Sequence, residues 1–232
     1  RYVNFGLQKL IRYQHDDGGW HWWEFDESDP YITAYIVYGL KVADEAGYVG
    51  AEAPMRRGVS YLVNQLGEER YARARAYLLW ALAYADVWNE DSWAKAAASM
   101  SAVYQEREKL DAFSLASLGL ALQRASESAP EGEARDGLAG AAAEIADQLE
   151  ARAIRRGIGV HWAPEGRAKY SWLNNDVEVT SQVMRLLMAV KPGVDTVDGA
   201  VRWLMAMREG KSWRSTKDTA SAVIALTEYL EQ

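Results

Sequence analysis

The sequence predicts an all-α chain built of helical hairpins, and three observations carry that expectation. Apolar residues recur at helical spacing over ten stretches, Val, Ile and Thr are not gathered into the alternating runs that make strands, and one motif returns along the chain. In that motif a helical stretch runs into a loop closed by tryptophan, then an acidic residue, then a new helix opening on Thr plus a small residue. The first copy leads from 6–10 through Gln14 to Trp20 and on to Thr33-Ala34. A weaker second copy passes Trp172, Asp176 and Thr180-Ser181, and the last leads from 200–204 through Trp213 to Asp218-Thr219-Ala220.

The helices are expected near residues 3–15, 30–47, 54–66, 70–87, 90–106, 111–127, 132–152, 175–190, 195–208 and 216–231. Asp29-Pro30 opens the second with an N-cap and a proline whose missing N–H costs nothing there, and Gly47 closes it. Lys191-Pro192-Gly193 ends another by removing a donor and supplying a flexible residue. Residues 129–140, rich in Gly, Glu and Ala, read as a loop or a weak helix start and are the one candidate for an internal boundary; otherwise residues 1–232 read as a single domain.

Helices joined by short loops pack as antiparallel neighbours, and hairpins in series make a superhelix or a closed ring. Residues 72–85 and 114–122 are apolar almost all round, which in a water-exposed protein means enclosure on every side. An inner layer containing 33–40, 76–84, 114–122, 180–187 and 219–226 inside an outer layer meets that need better than an open solenoid. The expected architecture is therefore an α/α toroid. Ten helices make five hairpins, one short of a six-hairpin ring, and because the sequence opens on Arg1, without Met and already within a helical pattern, it reads as part of something longer.

Composition removes several classes of function. A net charge of −7, with basic residues scattered apart from 70–75 and 152–156, argues against a nucleic-acid surface, and those two groups read as solvated helix faces. No run of about 18 apolar residues is present, so this segment is not expected to insert into a membrane. With no cysteine, thiol nucleophiles and thiolate metal sites are excluded within the segment. Ten Trp and thirteen Tyr against three Phe is an unusual balance, because these rings carry a polar end that seeks a partner or water, and it suggests a lined concavity.

Residues 14–23, Gln-His-Asp-Asp-Gly-Gly-Trp-His-Trp-Trp, followed by 29–40, resemble the thioester domain of bacterial alpha-2-macroglobulins. So do residues 175–181, 201–204 and 213–220, and both blocks keep their order and spacing. The resemblance implies an α/α toroid of six hairpins, shared with complement components and more distantly with terpenoid cyclases, acting without catalysis in a protease trap. It implies neighbouring domains of the same polypeptide and target proteases as partners, no cofactor, and a periplasmic or extracellular setting, with any lipid anchor in another part of the protein. Thioester-bearing members carry Cys-x-Glu-Gln in the first hairpin. That motif is absent here, so either it lies ahead of Arg1 or this homologue lacks the bond. Complement relatives use a histidine to assist acyl transfer, and the corresponding residues 67–73 contain none.

No catalytic residue and no metal ligand is assigned. His15 and His21, with Asp16, Asp17 or Glu24, could pair on a metal, but glycine-rich loops rarely hold coordination geometry. The run from Gln14 to Trp20 also matches a Gln-x-x-x-Gly-x-Trp repeat of squalene-type cyclases, a structural staple, while 26–29 is a poor match to the acidic cluster of such enzymes. Trp20, Trp22, Trp23, Trp213 and Asp218 form the candidate site. Each indole covers its own hairpin end, or together they make a rim that packs on a neighbouring domain; His161-Trp162 with Tyr170-Ser171-Trp172 resembles the same device. A cyclase-like enzyme and a protein-binding scaffold are the alternatives to the protease trap.

Overall fold

The computed structural model describes residues 2–23, 25–129, 131–165 and 175–232. Among them the chain is all-α, with helical hairpins in series as expected for the α/α toroid class, and divides into two compact units, residues 1–106 and 107–232. The division falls between Glu106 and Arg107, well ahead of the 129–140 stretch suggested by composition. That stretch instead enters a long helix packed along its predecessor, so its Ala and Glu content, good for helices, outweighs its glycines.

The first unit contains α1 (Tyr2–Arg12), α2 (Pro30–Glu45), α3 (Glu52–Glu68), α4 (Ala72–Ala85) and α5 (Glu90–Gln105). Asp29 caps α2 by accepting from the Ile32 N–H at 2.8 Å, with Pro30 at the first position, as the sequence predicts. Asn89 and Ser92 form a reciprocal capping box on α5. The α2 and α4 faces meet through rings: Tyr31 stacks on Tyr77 at 4.2 Å, and Tyr38 lies 4.5 Å from Trp80 and 5.3 Å from Tyr84. Part of the aromatic excess therefore fills an interior seam, where offset rings add to the area they bury, and another part lines an open cleft, described below.

The second unit opens with a short 3₁₀ turn, Arg107–Lys109, and continues with α6 (Ala112–Ser128), α7 (Glu133–Ala151), β1 (Ile154–Arg156), β2 (Gly159–His161), α8 (Asp176–Val190), α9 (Asp195–Ala206) and α10 (Thr216–Leu230). The antiparallel hairpin pairs Ile154 with His161 and Arg156 with Gly159. It corrects two expectations, since the sequence showed no strand here and read 152–156 as a helix face. Three-residue strands are too short to show alternation; β1 is exposed along its length, while β2 is buried against α9.

The segments expected to lie inside behave in two ways. Helices α4, α6 and α8 are buried from Ala76 to Ala83, Ala112 to Leu122 and Val177 to Met188. Helices α2 and α10 are buried along one side only, with Tyr35 and Val223 open to solvent. Ion pairs tie the second unit where helices cross: Arg185 forks onto Glu228 at 2.7–3.0 Å, joining α8 to α10, and Lys191 at the end of α8 reaches Asp147 and Glu150 of α7, both at 2.6 Å.

Candidate functional site: three tryptophan staples and an aromatic cleft

The recurring motif is a staple with fixed hydrogen bonding. In the first unit the Trp20 indole N–H donates to the Leu10 carbonyl at 2.8 Å, while its backbone N–H donates to Thr33 Oγ1 at 2.9 Å. In the second unit Trp162 makes the same pair to Leu149 at 2.6 Å and Thr180 at 3.1 Å, and Trp213 to Leu204 at 2.9 Å and Thr219 at 3.0 Å. Each threonine hydroxyl also lies 3.3–3.5 Å from the carbonyl of its tryptophan. Each leucine lies in the last turn of its helix, α1, α7 or α9, where carbonyls run out of N–H partners four residues on. One residue thus satisfies the end of one helix and is gripped by the start of the next.

The second copy of the bonding belongs to Trp162, which the sequence pointed to together with Trp172; Trp172, with Tyr170 and Ser171, lies outside the described residues. Trp162 stands farther from Thr180 than the other copies led one to expect, because the loop between them is longer. A leucine nine to thirteen residues ahead of each tryptophan is the signal that identifies it.

Around the first staple the loop is tightly built. Gln14 donates to the carbonyls of Gly18 and Pro54, both at 2.8 Å, and accepts from Arg57. Gly18 has φ +90°, and a Cβ there would meet the Arg57 carbonyl oxygen at 2.6 Å, so only glycine lets the loop turn against α3. A Cβ on Gly58 would meet Trp20 at 2.9 Å and Val37 at 2.6 Å. The indole is therefore clasped by α3, and Trp20 is 1% exposed. Tyr61 donates to the Ser28 carbonyl at 2.7 Å; burial, then the nearby Asp17 and Asp29 charges, raise its phenol above the usual range and keep it a donor.

The five candidate residues divide by exposure. Trp20, Trp213 and Asp218 are buried, whereas Trp22 and Trp23 are 65% and 71% exposed. These two help line an open cleft of about 510 Å³ with Leu10, Tyr13, Ile36 and Tyr35. His15 Nδ1 lies 2.9 Å from Ser28 Oγ, and His21 Nδ1 lies 3.2 Å from Asp26 Oδ2. The two imidazoles are spent on separate partners, and among the described residues no three metal-ligating side chains converge; Glu24 lies outside those residues. Asp29 is occupied as a cap, and Asp17 accepts from the Gly19 N–H at 2.9 Å and from the Ser28 hydroxyl, so these two carboxylates hold the loop's own groups.

Asp218 belongs to a second cluster, which the sequence reading missed. Asn175 caps α8 and donates to Asp218 Oδ1 at 2.5 Å, so the starts of α8 and α10 are joined. One turn into α8, Glu178 is 2% exposed and paired with Lys217 at 3.0 Å. Burial outweighs the lysine and pushes this carboxyl up to about 7. Nearby, His161 stacks on Trp203 at 4.7 Å, and burial followed by the Arg156 charge holds it below the usual histidine range.

Hairpins joined through Trp–Thr staples cover the region in which a known family matches. Residues 75–229 match the A-macroglobulin TED domain family, and they include both staples of the second unit. The chain belongs to that family. It is also similar to a protein named alpha-2-macroglobulin from Thermotoga maritima, 51% identical over 60 residues, which is 26% of this chain and 4% of the relative. The chain thus corresponds to a small part of that relative's length. Trp20, Trp22 and Trp23 lie ahead of the matched TED residues. Among the described residues no helix is long and apolar enough to cross a membrane.

Proposed function

We propose that this chain is the non-catalytic thioester-type ring of an alpha-2-macroglobulin-like endopeptidase inhibitor, a protease trap used in defence against host or competitor enzymes. The observation that carries the reading is the TED family match over residues 75–229. The Thermotoga maritima relative supports it, being named an alpha-2-macroglobulin and extending far beyond the matched stretch, as a domain within a longer polypeptide requires. Residues 1–232 act as one domain in this reading, and the setting is the periplasm or the cell exterior.

The chain's own chemistry agrees with a holding role. Without cysteine it supplies no acyl-accepting thiol, and buried Glu178, Asp218 and Arg185 are engaged by side chains of neighbouring helix ends, Lys217, Asn175 and Glu228. A thioester carried elsewhere on the polypeptide would need only to be kept dry until release, which is a task for a surface. Trp22 and Trp23 supply that surface on the first unit and face a neighbouring domain. The burial of Trp20, Trp213 and Asp218 gives them to the interior, where they hold the helices that present it.

The test uses the full-length protein. An equimolar amount should protect a large protein substrate from an added endopeptidase while leaving cleavage of a short chromogenic peptide unchanged, because a trapped protease is enclosed rather than blocked at its active site. Unimpeded digestion of the large substrate sinks the proposal.

A further inference from the structure

The loop ahead of α2 carries a charge pattern as well as exposed rings. From residue 13 to residue 40 the sequence holds six acids, Asp16, Asp17, Glu24, Asp26, Glu27 and Asp29, and no Lys or Arg. Asp16, Asp17, Asp26 and Glu27 are exposed. In the same loop Trp22 and Trp23 border the 510 Å³ cleft, and Phe25, between them and Asp26, is 95% exposed. Three large exposed rings beside acids with no Lys or Arg in the same stretch are costly to a free surface, so an occupant has to answer both features. An apolar partner would cover the rings but strip water from the acids. A cation over an indole face gains from the ring quadrupole and from the carboxylates at once.

We propose that this cleft binds a positively charged side chain, an arginine presented by a protein segment. A guanidinium is planar, sheds its water more readily than an ammonium, and can lie flat on an indole while its N–H groups reach a carboxylate. Because the cleft opens to solvent beside Trp22 and Trp23, it cannot surround a small free cation. A side chain delivered by a backbone adds contact with Phe25 and the loop. Asp26 offers an anchor beside the lining, since it lies 3.2 Å from His21, which itself lines the cleft. The proposal deepens the interdomain reading and rests on it only for the origin of the arginine.

The experiment follows indole N–H signals of the isotope-labelled chain during titration at low salt with acetyl-Gly-Arg-Gly-amide and with the citrulline counterpart, which keeps the shape and removes the charge. The Trp22 and Trp23 signals should move saturably with the arginine peptide, at least about tenfold more weakly with citrulline, while the bonded Trp162 and Trp213 signals of the second unit stay still. The double variant Trp22→Ala, Trp23→Ala should lose the response while the Trp20, Trp162 and Trp213 signals remain in place, which reports an intact fold. Equal binding of the citrulline peptide, or no saturable shift with either, overturns the proposal. So does tetramethylammonium binding as tightly as the arginine peptide, since that makes the site one for free cations. Protease protection is measured independently, so a trap that works with a cleft that does not bind separates the two ideas.

Discussion

The Trp20 staple of the first unit and the Trp213 staple of the second make the same hydrogen bonds, yet they frame very different loops. Between Trp213 and Thr219 lie only the residues needed to cap α10, whereas Trp20 and Thr33 are thirteen apart and enclose Trp22, Trp23, Phe25 and most of the local acids. The bonding that is common to both is the part that folds the chain. What differs is the surface offered to solvent, so the aromatic residues that serve a partner should be sought inside the longer loop and not at the staple.

Replacing a staple indole should have the largest effect. Trp20→Ala, Trp162→Ala and Trp213→Ala each empty a closed site and take the indole donor from one leucine carbonyl, while the backbone bond to threonine survives, and a loss of about 3–5 kcal/mol is expected for each. Denaturant unfolding checks this. Melting within a degree or two of the parent would break the comparison by showing that the staple carries no weight. Thr33→Val and Thr180→Val keep the shape but leave the tryptophan N–H without an acceptor in a buried place, at a cost of about 1–3 kcal/mol. Should the two differ widely in the same unfolding assay, the staples are not equivalent.

A pH effect sharpens the account of the second unit. The Glu178 carboxyl is raised from 4.5 to about 7, so the folded chain favours its protonated form. Its contribution to stability is complete below the unfolded value and is lost as pH climbs through about 7. Glu178→Gln should therefore match the parent near pH 5 and melt higher near pH 8, with half-exposed Lys217 turning to water. Melts at the two pH values decide it, and an equal difference at both would remove burial as the cause. The smallest effect is expected from Trp22→Ala and Trp23→Ala, which should leave the melting temperature within about a degree or two because exposed side chains contribute little to folding.

Most of the helical plan was legible because its signals are local. Asp29-Pro30 and Lys191-Pro192-Gly193 mark helix ends through capping and a missing donor, and the apolar α4 and α6 declare their burial without reference to distant residues. At the second staple the sequence offered both Trp162 and Trp172 as resembling the device and did not choose, since the contacts of Trp162 reach Leu149 and Thr180 across loops of unmatched length and Trp172 stands nearer to Thr180 in sequence. The β hairpin escaped because three residues cannot display a period. Of the candidate site, the identity of the tryptophans was readable but not their division into buried and exposed: adjacent Trp20, Trp22 and Trp23 look alike until α3 closes over the first.

The first staple also pins both ends of residues 21–28, since Trp20 N–H reaches Thr33 while the Asp29 N–H returns to the Trp20 carbonyl at 2.9 Å. A segment tied at its base is a closed loop whose contents are entropically cheap to change. The molecule samples that freedom already, with six residues from Trp213 to Thr219 and eighteen from Trp162 to Thr180. By loop-closure scaling, a threefold change of length costs only about 1 kcal/mol. Each staple is thus a socket into which foreign sequence can be grafted, and the recognition properties of such a chain can diverge while its helices stay where they are.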